Sequence, residues 1–408
     1  MKRAMPNIDE YIERIMNPKL VKANKLQNGS PVTHTKSIKG TTVEEPDFCP
    51  GQWCVVFPYN TAKKKYAVRC WLSFPDTMEE RHKAISKYLN QKKIEFLRDF
   101  DYVNEGMLTS VGIVPITIME WVNGVSLKKY IEDNLHNAKK MASLADNFKN
   151  MVSTLHTNKI AHGDLHHENI LVSNFGKLYL VDYDSMYVPE LEGYADIIHG
   201  YPGFQHPARF KNTKTASYLD YFAELVIYLT IKSLQYHPEL WKKQNIAQTD
   251  ALLFTPEDID SLGSAAIFRE LLSYPQEDIV QLTKQMLLEL HKNDLSKLLP
   301  LEEILTNAHI PKKDIDDVYG GLLNVYIKSD NNRGSSDDMD EIIAKQSHNF
   351  IKARNAVKSI SKDDDMEKII NQYTTPFFKK NIVHCTTCGK ELDSDEEFCI
   401  KCGTKRID

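Results

Sequence analysis

The chain has 408 residues, 42% of them apolar and 26% charged. That composition is globular; it excludes wholesale disorder and leaves room for about two to four domains. Lys and Arg total 51 against 56 Asp and Glu, and the resulting net charge of −5 argues against a protein that coats nucleic acid or adheres to membranes.

Residues 1–30 read as an N-terminal helical extension, with Tyr11, Ile12, Ile15, Met16 and Leu20 at helical spacing. The basic start Met1-Lys2-Arg3 runs into Pro6-Asn7-Ile8-Asp9-Glu10 instead of an apolar core, so no secretory signal is expected. No run of about 18 apolar residues follows, so no transmembrane helix is expected either. The expected location is cytoplasmic, where thiols stay reduced. From 31 to 122 the pattern is strand-rich. Trp53–Tyr59 and Tyr66–Leu72 predict a hairpin around Asn60-Thr61-Ala62-Lys63. Asp76 and Thr77 stand in capping positions for a helix over Thr77–Leu89, and strands are predicted over Tyr102–Met107 and Ile113–Val122. From 123 to 300 helices dominate: Leu127–Leu135, Ala138–Thr157, Leu219–Ser233, Ala265–Ser273 and Glu277–His291. A strand-like stretch from Asn169 to Tyr183 interrupts them. This order predicts an α+β chain with two lobes, a mixed sheet-plus-helix lobe and then a helical one. Residues 301–382 read as a helical and linker region. Within it Asn331–Asp338 is a polar linker, Ile342, Ile343, Phe350, Ile351 and Val357 form a helical stripe, and Lys362-Asp363-Asp364-Asp365 marks a second break.

The richest segment is Leu155–Val172, followed by Val181-Asp182-Tyr183-Asp184. Phosphoryl transfer needs a carboxylate near the acceptor hydroxyl and oxygen ligands that hold Mg²⁺ on nucleotide phosphates. Asp164 and Asn169 on one loop, and Asp182 on the next strand, are residues of that kind. Leu155–Asn169 matches L-H-x-x-x-I-x-H-x-D-L-x-x-x-N, and in this the chain resembles the protein-kinase superfamily. The resemblance spans roughly residues 40–300 and is nearest to bacterial eukaryotic-like kinases with degenerate N-lobes. It implies a two-lobed fold, with residues 31–122 as N-lobe and 123–300 as C-lobe. It implies Asp164 as the base or acceptor-orienting residue, and Asn169 and Asp182 as ligands of Mg²⁺ or Mn²⁺. Glu120 and Val122 would bind the adenine edge through their backbone at the hinge, and Asp220 would support the catalytic-loop backbone. Gly200–Ala208 aligns with the end of an activation segment.

The N-lobe departs from the pattern. Cys49–Val56 aligns with the Gly-rich loop but keeps only Gly51, with Val56 at its apolar position. Tyr66-Ala67-Val68-Arg69 aligns with V-A-I-K, which puts Ala67 beside the nucleotide and Arg69 on its phosphates. Glu79 and Glu80 are candidate partners for Arg69, with Glu80 preferred. Gly163 replaces the Arg that pairs with a phosphorylated activation loop in most relatives. His166 stands where Ser/Thr protein kinases carry Lys. His162-Gly163-Asp164-Leu165-His166 is also similar to aminoglycoside-type small-molecule phosphotransferases. Three readings follow: an ATP- and Mg²⁺-dependent Ser/Thr-type protein kinase, a nucleotide-binding pseudokinase scaffold, and a small-molecule phosphotransferase.

Cys385-Thr386-Thr387-Cys388 and Cys399-Ile400-Lys401-Cys402 place four thiolates at the spacing of one tetrahedral Zn²⁺ site, each pair followed by glycine (Gly389, Gly403). Leu392 and Phe398 are the available core, so residues 383–408 depend on metal to fold. The segment resembles a short bacterial zinc ribbon. Lys401, Lys405 and Arg406 give it a basic rim suited to a protein partner.

Overall fold

The computed structural model describes residues 4–38, 41–51, 53–73, 77–211 and 214–306, together with two short strands near the C-terminus. The chain divides into two units, Met1–Ser336 and Asp337–Asp408.

Helix α1 (Ile8–Ile15) begins where the Asn7 side chain accepts the Glu10 N–H at 2.9 Å, with Asp9 and Glu10 favourably placed at the positive end of the helix. The chain then forms β1 (Ser30–Pro31), β2 (Thr33–Ile38), β3 (Thr41–Pro46), β4 (Cys49–Pro50), β5 (Cys54–Asn60) and β6 (Lys65–Trp71). Helix α2 (Met78–Lys92) leads into β7 (Phe100–Thr109) and β8 (Gly112–Glu120). Six of these strands make one sheet in the order β1-β5-β6-β8-β7, with β4 also paired to β5. β2 and β3 form a separate hairpin whose side chains are mostly exposed. That hairpin lacks the apolar alternation by which a strand announces itself in sequence.

Side chains alternate along β6 as the strand period demands. Val68 and Cys70 share a core with Val55, Phe57, Ile116 and Ile118. The same core takes in Tyr11, Ile15, Val21, Ala23 and Leu26. The Tyr11 hydroxyl also donates to the Trp71 carbonyl at 2.8 Å. The N-terminal extension is therefore the second layer of this lobe, covering the sheet face that points away from Arg69. Each such fully buried large apolar side chain contributes about 1.5–3 kcal/mol.

The helical lobe opens with β9 (Val125–Ser126), α3 (Leu127–Asn134) and α4 (Ala138–Thr157). β10 (Ile170–Val172) and β11 (Leu178–Leu180) pair as a hairpin beside β9, the strand pair expected within 169–183. Then come α5 (Tyr221–Tyr236), α6 (Leu240–Lys243), α7 (Pro256–Asp260), α8 (Ala266–Leu272), α9 (Glu277–Leu290) and α10 (Leu301–Thr306). Helix α5 is apolar all round and buried along nearly its whole length. Helix α10 buries Leu301 and Ile304 in the same core, so the lobe continues past residue 300, where the sequence placed its end.

In the second unit, β12 (Val383–His384) and β13 (Glu391–Leu392) pair antiparallel, Val383 opposite Leu392. Cys385, Cys388, Cys399 and Cys402 lie outside the described residues, as do the linker at 331–338 and the helical stripe after it.

Candidate active site

The loop between α4 and β10 is held from below by Asp220. Its carboxylate accepts the N–H of His162 and, at 2.8 Å, that of Gly163. Burial raises the Asp220 carboxyl above its ordinary range, against the pull of His162, Arg209 and the two amides. Gly163 has φ +78°, and a Cβ there would lie 2.2 Å from the Ser185 carbonyl oxygen. Only glycine fits, because the conformation is left-handed and the neighbouring backbone fills the space. His162 Nε2 donates to the Val181 carbonyl at 2.9 Å. The Asn169 amide donates through Nδ2 to the Asp164 carbonyl at 2.9 Å, and the Val181 N–H to the Asn169 carbonyl at 3.0 Å. The structure thus brings Asp164, Asn169 and the start of the Val181–Asp184 segment together through backbone bonds.

Asp182 has φ +65°, a conformation costing on the order of 1–3 kcal/mol in a non-glycine residue and typical of functional sites. Its side chain is 46% exposed, whereas that of Asp184 is 8% exposed. Arg69 reaches both: Nη1 lies 2.7 Å from Asp182 Oδ1 and from Asp184 Oδ1, and Nη2 2.6 Å from Asp184 Oδ2. Its Nε donates to Cys54 Sγ at 2.7 Å. Burial alone would disfavour the charged guanidinium; the two carboxylates overcome that and hold its pKa well above the ordinary value. Asp184 is held below the usual carboxylate range in the same way, burial opposing and Arg69 and His82 prevailing. Burial pushes the Cys54 thiol up to about 11, against the pull of Arg69, so it stands there as a neutral, buried group.

One expectation is overturned here. Glu80 is exposed, and Arg69 pairs with Asp182 and Asp184 instead. The inward face of α2 carries Met78, Arg81, His82, Ile85, Tyr88 and Leu89. His82 Nε2 is 3.1 Å from Asp184 Oδ1. Sequence reasoning missed both His82 and Asp184. The signal was present, since the stripe at three- and four-residue spacing leaves Glu80 off the buried face. Thr77 stands at the α2 N-cap with φ 72° and makes no side-chain cap.

The other residues expected to meet the nucleotide lie on the strands and turns around Arg69. Val56 is opposite Arg69 in the β5–β6 register, and Ala67 is opposite Met119 in β8. The Gly51 N–H donates to the Cys54 carbonyl at 2.8 Å, closing a tight turn between β4 and β5. Glu120 ends β8 with its side chain on Lys64 at 2.6 Å and its N–H on the Asp99 carbonyl at 3.2 Å. Val122, two residues on, is buried.

The segment after β11 closes over the loop. His166 stacks on Tyr201, ring centroids 5.3 Å apart, and its Nε2 is 3.7 Å from Asp164 Oδ2. Burial lowers the His166 pKa more than Asp164 raises it, which favours the neutral ring. Further along, Arg209 and Asp196 form a buried ion pair through two contacts of 3.1 and 3.2 Å. His206 Nε2 donates to the Glu289 carbonyl at 3.0 Å and ties the segment to α9. Arg81 of α2 donates to the Ala195 carbonyl at 3.2 Å. Neither Asp196 nor Arg209 stood out in the sequence, because nothing local marks a pair whose meaning is mutual burial.

Comparison with known proteins matches residues 110–308 to the protein kinase domain and residues 384–406 to the zinc-ribbon domain. The chain carries a protein kinase domain with a curled-sheet N-lobe and a helical C-lobe, and a C-terminal zinc-ribbon domain. The match to the protein kinase domain supports a phosphotransferase of the kinase superfamily. The match begins at Ser110, so Gly51, Arg69 and His82 lie in the part of the lobe that keeps the fold without the family's sequence pattern. No curated protein matches the chain. Among the described residues, no helix is long and apolar enough to cross a membrane.

Proposed function

We propose that this chain transfers the γ-phosphoryl group of ATP to a serine or threonine hydroxyl of a protein substrate in the cytoplasm. The observation that carries the reading is the ordered set Asp164, Asn169 and Asp182, tied together by the Asn169–Asp164 and Val181–Asn169 bonds. With Asp164 Oδ1 engaged by the Tyr201 N–H at 2.8 Å, Oδ2 is the oxygen that orients the acceptor hydroxyl and takes its proton. His166 borders that oxygen and shapes the acceptor side.

The donor set fits Mg²⁺ or Mn²⁺. Asp182 offers an exposed carboxylate, and Asn169, whose Nδ2 is spent on a carbonyl, offers Oδ1. Among the described residues no three His, Cys, Asp or Glu side chains converge as a ready-made cage. A site of few protein oxygens completed by phosphate and water is the usual one for Mg²⁺. The metal, when bound, neutralises phosphate charge. Arg69 grips the phosphates, the Glu120 carbonyl and the Val122 backbone bind the adenine edge, and Gly51, Val56 and Ala67 line the nucleotide. In the ribbon, Cys385, Cys388, Cys399 and Cys402 hold one structural Zn²⁺, and the basic rim docks a protein partner.

The observation favouring a protein substrate over a small molecule is the segment ending at His206, anchored to α9 beside the acceptor site. One observation favours the scaffold reading instead: Arg69 sits on Asp182 and so competes with a metal for it. The deciding experiment is transfer from γ-labelled ATP to the protein itself and to a generic protein, with Asp182→Ala as control. Mg²⁺-dependent label in the wild type that the variant lacks supports the kinase reading; nucleotide binding without label supports the scaffold.

A further inference from the structure

We infer that Asp184, oriented by His82, is the positioning residue that fixes Arg69 at the phosphate site, and that it does so independently of Asp182. This inference rests on the phosphotransfer reading for what Arg69 grips, but the anchoring itself stands on geometry.

Arg69 touches two carboxylates, and they are not equivalent. Asp184 engages it in fork geometry, Nη1 to Oδ1 and Nη2 to Oδ2, while Asp182 meets a single nitrogen. Two parallel charge-assisted bonds fix the plane of a guanidinium; one bond does not. Asp184 is buried and Asp182 is not, so water competes for the second pair and hardly for the first. A cation that takes Asp182 therefore removes one bond from Arg69 and leaves the fork intact.

His82 explains why Asp184 stays in place. Its Nε2 faces Asp184 Oδ1 at 3.1 Å, and Nδ1 has no hydrogen-bond partner among the described residues. The ring is fully buried, with Trp71, Phe100 and Tyr102 at centroid distances of 5.0, 5.4 and 6.2 Å. Packed on those sides, it has no room to swing away. The next ring contacts, Phe100 to Tyr183 at 5.4 Å and Tyr183 to His162 at 6.2 Å, carry the same packing to the catalytic loop. Helix α2 thus holds Arg69 through a histidine and a carboxylate from residue 184. A displacement of α2 withdraws His82 from Asp184 and loosens the arginine.

The test uses the full chain labelled with ¹⁵N-arginine. The Arg69 Nη–H resonances are assigned by their loss in Arg69→Lys, and their solvent exchange is measured without nucleotide, because the Nη groups make the fork while Nε is held by Cys54. Exchange should stay slow in the wild type and in Asp182→Asn. It should quicken about tenfold or more in Asp184→Asn, which breaks one arm of the charged fork, and in His82→Phe, which frees Asp184 to leave Arg69. Near-UV circular dichroism verifies that each variant is folded, and Asp184→Asn keeps the shape of the side chain should His82→Phe fail. Faster exchange in Asp182→Asn with no change in Asp184→Asn overturns the inference. In a second arm, ATP is titrated with Mg²⁺ and with EDTA. Asp184→Asn should weaken binding in both, and Asp182→Asn only with Mg²⁺. Wild-type affinity for Asp184→Asn overturns its positioning role. If the wild type itself binds no Mg·ATP, the phosphotransfer reading falls, and the exchange measurement alone still decides whether Asp184 holds Arg69.

Discussion

The backbone N–H of Tyr201 donates to Oδ1 of Asp164 at 2.8 Å, so the segment that follows β11 meets the carboxylate of the loop between α4 and β10. The stacking of Tyr201 on His166 reinforces that contact. Oδ1 of Asp164 is thereby committed to the protein, and Oδ2 is the oxygen that the proposed function assigns to the acceptor. The buried Asp196–Arg209 pair and the Arg81–Ala195 bond hold the segment in this position. This agrees with the glycine at 163, where no arginine stands to meet a phosphorylated loop.

Gly163→Ala should destabilise the kinase domain by about 2–4 kcal/mol, through a left-handed φ and a clash with the Ser185 carbonyl. Gly163→Arg, which restores the residue common in the family, should be worse. Denaturant midpoints of the two variants against wild type check this; unchanged midpoints mean the loop can move away from Ser185.

Arg69→Ala should abolish ATP binding and also lower stability, because it leaves the buried Asp184 carboxylate with His82 alone in place of the guanidinium fork. Breaking a buried pair on one side costs about 3–5 kcal/mol. Arg69→Lys should retain nucleotide affinity to a large extent, since Lys keeps the charge but not the fork. Calorimetric titration with ATP, together with thermal unfolding, measures both effects. Normal ATP binding by Arg69→Ala would remove this residue from the nucleotide site.

His156 bridges two carboxylates, with Nε2 2.9 Å from Glu224 and Nδ1 2.8 Å from Glu302. Burial disfavours its charge, but the Glu224 and Glu302 contacts outweigh it and push the pKa up to about 9. Burial likewise pushes Glu224 up to about 7, with His156 opposing. A raised folded-state pKa stabilises below the unfolded value, so the His156 contribution is complete below about pH 6.5 and is lost as pH rises through 9. It amounts to about 3 kcal/mol by linkage. Unfolding free energy should therefore fall between pH 6 and 9.5 in the wild type, and fall less in His156→Gln. Parallel curves for the two proteins would show that α4, α5 and α10 are not joined through this histidine.

Freshly purified, reduced protein should contain one equivalent of zinc, and Cys385→Ser should lose it. The kinase domain's thermal transition should not move, because the ribbon falls in the second unit and draws its stability from metal. Absence of zinc from the wild-type protein would overturn the assignment of the four cysteines.

The grouping of residues that depends on local spacing was legible. The loop from Leu155 to Asn169 and Asp182 on the following segment stand at fixed separations along the chain, and short hydrogen bonds such as Asn169 to Asp164 close within one loop. The alternation of β6, with Val68 and Cys70 on one face and Ala67 and Arg69 on the other, was readable for the same reason. What Arg69 pairs with was not. Its partner Asp184 lies 115 residues away in sequence, and nothing near either residue encodes that meeting. The choice was made by the phase of α2, which turns Glu80 to solvent and His82 inward, and by the burial of Asp184 against His82. The N-terminal helix was readable as amphipathic, but the surface it covers was not. Periodicity states that a face must be buried; only the closing of the chain in three dimensions selects which surface, and which charge, it is buried against.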